Sequence, residues 1–170
     1  PSTAPRTAER RAEILENPGF GQWFSDHMFV ATWTDVDDWH DAQVKPYGPF
    51  SVDPASAVLH YAQEIFEGLN AYRHEDGSIP LFLPEANAAR FARSAPRLAL
   101  PAFPEAAFVD AVTALVQADQ EWVPSGGEKS LYLRPFMFAS EVFLGVRAAK
   151  RVTCAVIASP AGSYFKGGVQ

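Results

Sequence analysis

LHYAQEIFEGLNAYR, residues 59–73, sets two aromatics and a glutamate around a glycine in the middle of a 170-residue chain. Just upstream, DPASA offers Asp53 as a cap and Pro54 at the first position of a short helical turn, places that both residue types favour. Downstream of Gly68, LNAYR and IPLFL flank HEDGS, and an Asp-Gly pair between apolar runs predicts a hairpin.

Working outward, TAERRAEILENPG reads as a surface helix stopped at Asn17-Pro18-Gly19. HMFVATW and AQVKPYGPF predict a first hairpin around the acidic loop TDVDDWHD, with Pro46 and Pro49 placing its second arm at an edge or bend. PEANAARFARSA predicts a helix that turns Phe91, Ala95 and Leu98 to a core, with Pro96 weakening its last turn. PEAAFVDAVTALVQADQEWVP carries Phe108, Val112, Leu115, Val116 and Trp122 at three- and four-residue steps, an amphipathic helix. SLYLRPFMFA and RVTCAVIASP read as buried or half-buried strands joined by SEVFLGVRAAK. The result is an α+β domain, followed by SPAGSYFKGGVQ, which reads as a linker.

Composition narrows the functional classes. With 48% hydrophobic and 20% charged residues the chain is globular rather than disordered. A net charge of -6 with 14 basic residues gives no field for gripping a phosphate backbone, so nucleic acid is a poor partner. No apolar run approaches a membrane span, and no signal peptide opens the chain. The single Cys154 excludes an internal disulfide, and a reducing, cytoplasmic setting fits.

Candidate chemistry is sparse. Arg90, Arg93 and, if the helix survives Pro96, Arg97 share one face whose guanidinium forks could meet an anion, although a solvated face is the plainer reading. Tyr132 and Arg134 alternate with Leu131 and Leu133, so a strand projects them together, and such a pair could read a carboxylate. In isolation they read as a half-buried tyrosine and a snorkelling arginine. Tyr61 and Phe66 read as core, the four histidines lack metal-ligand spacing, and Cys154 reads as a small buried hydrophobe. No phosphate-binding glycine loop or nucleophile elbow is present. Spacing alone leaves function open.

The strings LHYAQEIFEGLNAYR, LFLPEANAARFARSAPRLALP, WVPSGGEKSLYLRPFMFASEVFLGV and IASPAGSYFKGG closely resemble the N-terminal half of branched-chain amino acid aminotransferases, pyridoxal-phosphate enzymes of fold type IV. The resemblance spans residues 19–168. It implies the small N-terminal domain of that fold, an α/β sandwich, with residues 1–18 as a helical extension, 19–162 as the substrate-side domain and 163–170 as the start of an interdomain linker. It also implies biosynthetic transfer of the amino group of leucine, isoleucine or valine to 2-oxoglutarate by a homodimer, with the cofactor as electron sink.

By the same resemblance Arg90 holds the cofactor phosphate, leaving Arg93 and Arg97 as surface. Phe20, Tyr61, Phe66, Tyr132, Arg134 and Tyr164 line the substrate pocket, and Gly68 permits a tight backbone there. Leu144 and Val146 belong to a loop that reaches the neighbouring subunit's site. Asn70 stands where relatives usually carry lysine. The family's cofactor lysine lies in a second half with no counterpart among Lys45, Lys129, Lys150 and Lys166, so the expectation is half an enzyme, inactive and without bound cofactor by itself. The alternatives are a D-amino acid aminotransferase, an aminodeoxychorismate lyase, or a non-catalytic binding or assembly module.

Overall fold

A computed structural model describes residues 5–162. Six strands form one antiparallel sheet: β1 (His27–Thr34), β2 (Asp38–Pro46), β3 (Glu64–Phe66), β4 (Leu69–Ala71), β5 (Ser130–Ala139) and β6 (Arg151–Ala161). Their order is β2-β1-β6-β5-β3, with β4 also paired to β5. β3 lies against residues 136–138 of β5 and β4 against residues 131–133, so two short strands share one long neighbour. Among the described residues four α-helices accompany them: α1 (Ala8–Glu16), α2 (Ala57–Tyr61), α3 (Pro84–Ser94) and α4 (Glu105–Ala118). The mixed α+β character is as the sequence implied.

Alternation divides the sheet into two faces. In register across it, Phe29, Ala31 and Trp33 of β1 oppose Val156, Cys154 and Val152 of β6. These continue into Pro135, Met137 and Ala139 of β5. This face joins Phe91, Phe108, Val112 and Leu115 of α3 and α4 in one buried core, where the Phe91 and Phe108 rings lie 5.3 Å apart. Burial there pushes the Cys154 thiol far up from its ordinary value, which suits a packing role rather than a reactive one. The other face carries Tyr132, Arg134 and Phe136, half-buried, and no described helix covers them.

The chain ends of the elements follow local chemistry. Thr7 caps α1 by accepting from Arg10 N, and Lys129 Nζ donates to the Leu15 and Glu16 carbonyls at the far end. Each end of that helix therefore has part of its orphan backbone groups met by a side chain. The first hairpin forms, with its proline-ended arm β2 at the sheet edge, but residues 38–41 of the acidic loop read there belong to β2, which leaves residues 35–37 as the turn.

The structure adjusts three further expectations. Leu98 does not face the core and is 40% exposed: the α-helix stops at Ser94, and residues 95–98 form a 3-10 turn that rotates Leu98 off the face shared by Phe91 and Ala95. The same change takes Arg97 off the helix that carries Arg90. Asp53 caps the short turn read there, with Pro54 at its first position, but that turn stops before α2 begins at Ala57. Its Oδ1 accepts from Ala55 N in a tight turn, and Ser56 stands at the helix start. The second hairpin is present but minimal, since its return arm contributes only a Leu81 bridge to Ala71, closed by Asp76 Oδ1 accepting from Ser78 N and Oγ.

Phe108 is 1% exposed at the centre of the core. Phe108→Ala should cost about 3–5 kcal/mol of unfolding free energy, while Val36→Ala in the β1–β2 turn should stay within about 0.5 kcal/mol, both read by urea titration.

Candidate functional site

The site grows from the same stretch of chain. From Ile65 to Asn70 alternation is unbroken: Ile65, Glu67 and Leu69 turn to the helix side, and Phe66, Gly68 and Asn70 to the open side. Gly68 lies under the Tyr132 phenol. A Cβ at Gly68 would collide with the Tyr132 hydroxyl and approach its Cζ to 2.9 Å, so glycine is required for the ring to lie flat against the strand. The close backbone approach expected there is present.

On the open side the structure brings together four of the residues expected to line a pocket. Arg134 Nη2 donates to the Tyr132 hydroxyl at 2.9 Å. The Arg134 guanidinium carbon sits 4.4 Å from the centre of the Phe66 ring and 5.4 Å from that of Tyr132. Phe20 meets Tyr132 edge-on at 5.3 Å. The result is a guanidinium walled by rings, beside a Phe66 that is 63% exposed. Among the described residues Arg134 Nε is buried without a hydrogen-bond partner, and so is Ser159 Oγ on the strand position opposite Tyr132. Asn70 lies on the same face, next to Tyr132, with its Oδ1 accepting from Ser130 Oγ.

Tyr61 stands apart from this cluster in its bonding. Its hydroxyl donates to the Leu144 carbonyl at 2.6 Å. That bond ties α2 to the β5–β6 connection, whose Leu144 and Val146 are both exposed. Tyr164 lies outside the described residues.

Arg90 projects from α3 towards the sheet edge. Its Nε and Nη2 donate to Glu67 Oε1 and Oε2, each at 2.6 Å, while Asn87 Nδ2 donates to Glu67 Oε2 at 2.9 Å and to the Gly68 carbonyl at 3.0 Å. Burial pushes the Glu67 carboxyl up, but the hydrogen bonds from Arg90 and Asn87 and the Arg90 charge outweigh it and hold it below the ordinary glutamate value. Glu67 in turn raises Arg90. Glu67 and Asn87 were missed from sequence. Alternation could have found Glu67, because a carboxylate on the core-facing parity of a strand demands a partner.

Similarity to known proteins covers the whole chain. No protein-family model matches it. A "Probable branched-chain-amino-acid aminotransferase" of Streptomyces coelicolor is 58% identical over 171 residues, 100% of this chain and 47% of that protein. A "Branched-chain-amino-acid aminotransferase" of Mycolicibacterium smegmatis is 55% identical over 170 residues, 99% of this chain and 46% of that protein. The chain thus spans about half the length of the curated relatives it matches. A solved branched-chain aminotransferase from the archaeon Thermoproteus uzoniensis, with norvaline, shares the fold at a TM-score of 0.63 and 24% identity, over 82% of this chain and 43% of its own.

Two outcomes test this geometry. Gly68→Ala should displace Tyr132 and cost about 1–3 kcal/mol, with most of that loss absent when Tyr132→Ala is already in place; additive losses in thermal melts would refute the contact. Glu67, whose folded pKa is depressed, contributes stability that is full above the unfolded glutamate value of about 4.3 and lost as pH falls through the lower folded value. Glu67→Gln should therefore lose less stability on acidification than the parent protein, and parallel acid-unfolding curves would contradict the assignment.

Proposed function

We propose that this chain, which belongs to the branched-chain amino acid aminotransferase family, supplies the substrate-side part of an enzyme that moves the amino group of leucine, isoleucine or valine to 2-oxoglutarate. The observation that carries the reading is Arg134 held among Phe66, Tyr132 and Phe20. Rings enclose a branched apolar side chain, and a guanidinium with an unpaired, buried Nε can take the distal carboxylate of glutamate or 2-oxoglutarate. One pocket then serves both substrates. Tyr61 extends its wall, and Tyr164, the further residue read for it, lies outside the described residues.

Pyridoxal phosphate is the cofactor this reading requires, supplying the electron sink for amino transfer. The residues fit one part of that group. Arg90 is 57% exposed and bonded only through Nε and Nη2, so Nη1 is free among the described residues to meet a phosphate oxygen. They do not fit its covalent attachment: Lys45 lies over the Phe50 ring, Lys129 caps α1, and Lys150 pairs with Asp35 at 3.3 Å. Lys166 lies outside the described residues, and on this reading the covalent lysine belongs to a further domain. Residues 1–18 are the helical extension, 19–162 the substrate-side domain and 163–170 the start of the connection to that domain. Leu144 and Val146 reach the neighbouring subunit of a homodimer, in the cytoplasm. No helix among the described residues is long and apolar enough to cross a membrane.

Residues 1–170 by themselves should not bind pyridoxal phosphate appreciably. One charge-assisted contact contributes about 1.5–3 kcal/mol net, less than the rigid-body cost of at least about 4 kcal/mol. Arg90→Ala should accordingly change nothing in this chain and weaken cofactor retention in the full-length enzyme. A stoichiometric, borohydride-fixed adduct at one of the four lysines would overturn the reading. For the parent enzyme, turnover of D-alanine and not L-leucine would overturn the substrate class.

A further inference from the structure

Arginine presents two donor edges, a side-on edge of Nε with one Nη and an end-on edge of the two Nη groups. Arg90 spends its side-on edge on Glu67, with both bonds at 2.6 Å. The end-on edge is left whole: Nη1 has no partner among the described residues, and Nη2 keeps its second hydrogen. Glu67 is itself fixed. It is 5% exposed, it accepts a further bond from Asn87 Nδ2, and its backbone N donates to the Pro135 carbonyl at 2.8 Å. A long, exposed side chain is thus clamped against an immobile carboxylate at the sheet edge.

We infer that Glu67 is a positioning residue, which takes one edge of the Arg90 guanidinium so that the other is presented, aligned, to two oxygens of the cofactor phosphate. This rests on the reading of Arg90 as the phosphate contact. The clamp has a consequence that distinguishes it from simple charge attraction. With Glu67 beside it the pair carries no net charge, so the phosphate is recognised through a fixed pair of N–H donors rather than through the field of a free cation. Glu67 also connects the two sides of the site. Its neighbours Phe66 and Gly68 are the ring beside Arg134 and the seat of Tyr132, so cofactor clamp and substrate wall hang on three consecutive residues.

Two views of Glu67 predict opposite signs. If it aligns Arg90, removing its charge weakens phosphate binding; if it competes for Arg90, removing its charge strengthens it. The experiment titrates the cofactor-free, full-length enzyme with pyridoxal phosphate and with pyridoxal, which lacks the phosphate. Glu67→Gln should lower affinity for pyridoxal phosphate about tenfold, in line with one charge-assisted contact losing its geometry, and leave pyridoxal unchanged. The 31P resonance of the bound phosphate should shift in the same variant. Glu67→Gln/Arg90→Ala should bind pyridoxal phosphate no more weakly than Arg90→Ala. Should the Gln variant fail to fold, Glu67→Asp, which keeps the charge but cannot reach both donors, decides the case with the same selective loss. Unchanged or tighter pyridoxal phosphate binding overturns the inference, as does an equal loss for both ligands, which marks a structural role. If Arg90→Ala leaves the ratio of the two affinities unchanged, the phosphate reading itself fails and takes the inference with it; if Arg90→Ala lowers that ratio and the Glu67 variants do not, only the inference falls.

Discussion

Unbroken alternation along residues 65–70, laid against β5, is the constraint on which the site depends. A one-residue slip would exchange the two faces. Phe66 and Gly68 would turn into the core, and Glu67 would leave Asn87 and Arg90 for the open side. The register is held by apolar residues on the core parity. Ile65 opposes Met137 and Leu69 opposes Leu133, all of them buried. Packing that has no chemical role therefore fixes which residues can have one.

The two faces of the sheet satisfy their polar groups differently. On the helix side the one charged group of this stretch, Glu67, is fully bonded. On the open side Arg134 Nε and Ser159 Oγ are buried without partners among the described residues. A buried polar group left unmet costs about 1–3 kcal/mol, so the face that bears the candidate pocket is the less stabilised of the two. Phe50 adds to its apolar character by packing on Phe136 and Phe138, at 6.5 and 5.7 Å. The Phe66 and Tyr132 rings flank the Arg134 guanidinium, whose Nε is buried, which strengthens any charge-assisted bond a ligand makes there.

Much of this was legible because the signals were periodic. α4 declares itself by Phe108, Val112, Leu115 and Val116, and β5 by an alternation that places Tyr132 and Arg134 together. The misreadings sit where periodicity changes. Pro96 converts the last turn of a helix to a three-residue repeat, so Leu98 leaves the core face that a 3.6-residue repeat assigns to it. Asp53 accepts from the amide two residues ahead, the bond an N-cap makes, but the turn it caps stops before α2 begins at Ala57. Glu67 was overlooked for a third reason. The aromatics beside it drew the functional reading to the open parity, and the partner that explains it, Arg90, lies 23 positions away, a pairing made by the crossing of α3 over the sheet edge.

The β5–β6 connection shows how a bare loop tip is kept in place. Glu141 takes the Arg147 fork at 2.7 and 3.0 Å and accepts from Lys150 N at 2.6 Å. The Arg147 guanidinium in turn covers the Phe143 ring at 4.0 Å. Phe143 N donates to the Ala55 carbonyl and Ala57 N to the Glu141 carbonyl at the same base, and Tyr61 closes it through the Leu144 carbonyl. Above that base Val146 is 93% exposed. A flexible loop can fold its apolar residues back onto the protein, and a fixed one cannot. Holding Leu144 and Val146 outward therefore rests on the bonds made beneath them, the one from the Tyr61 hydroxyl among them.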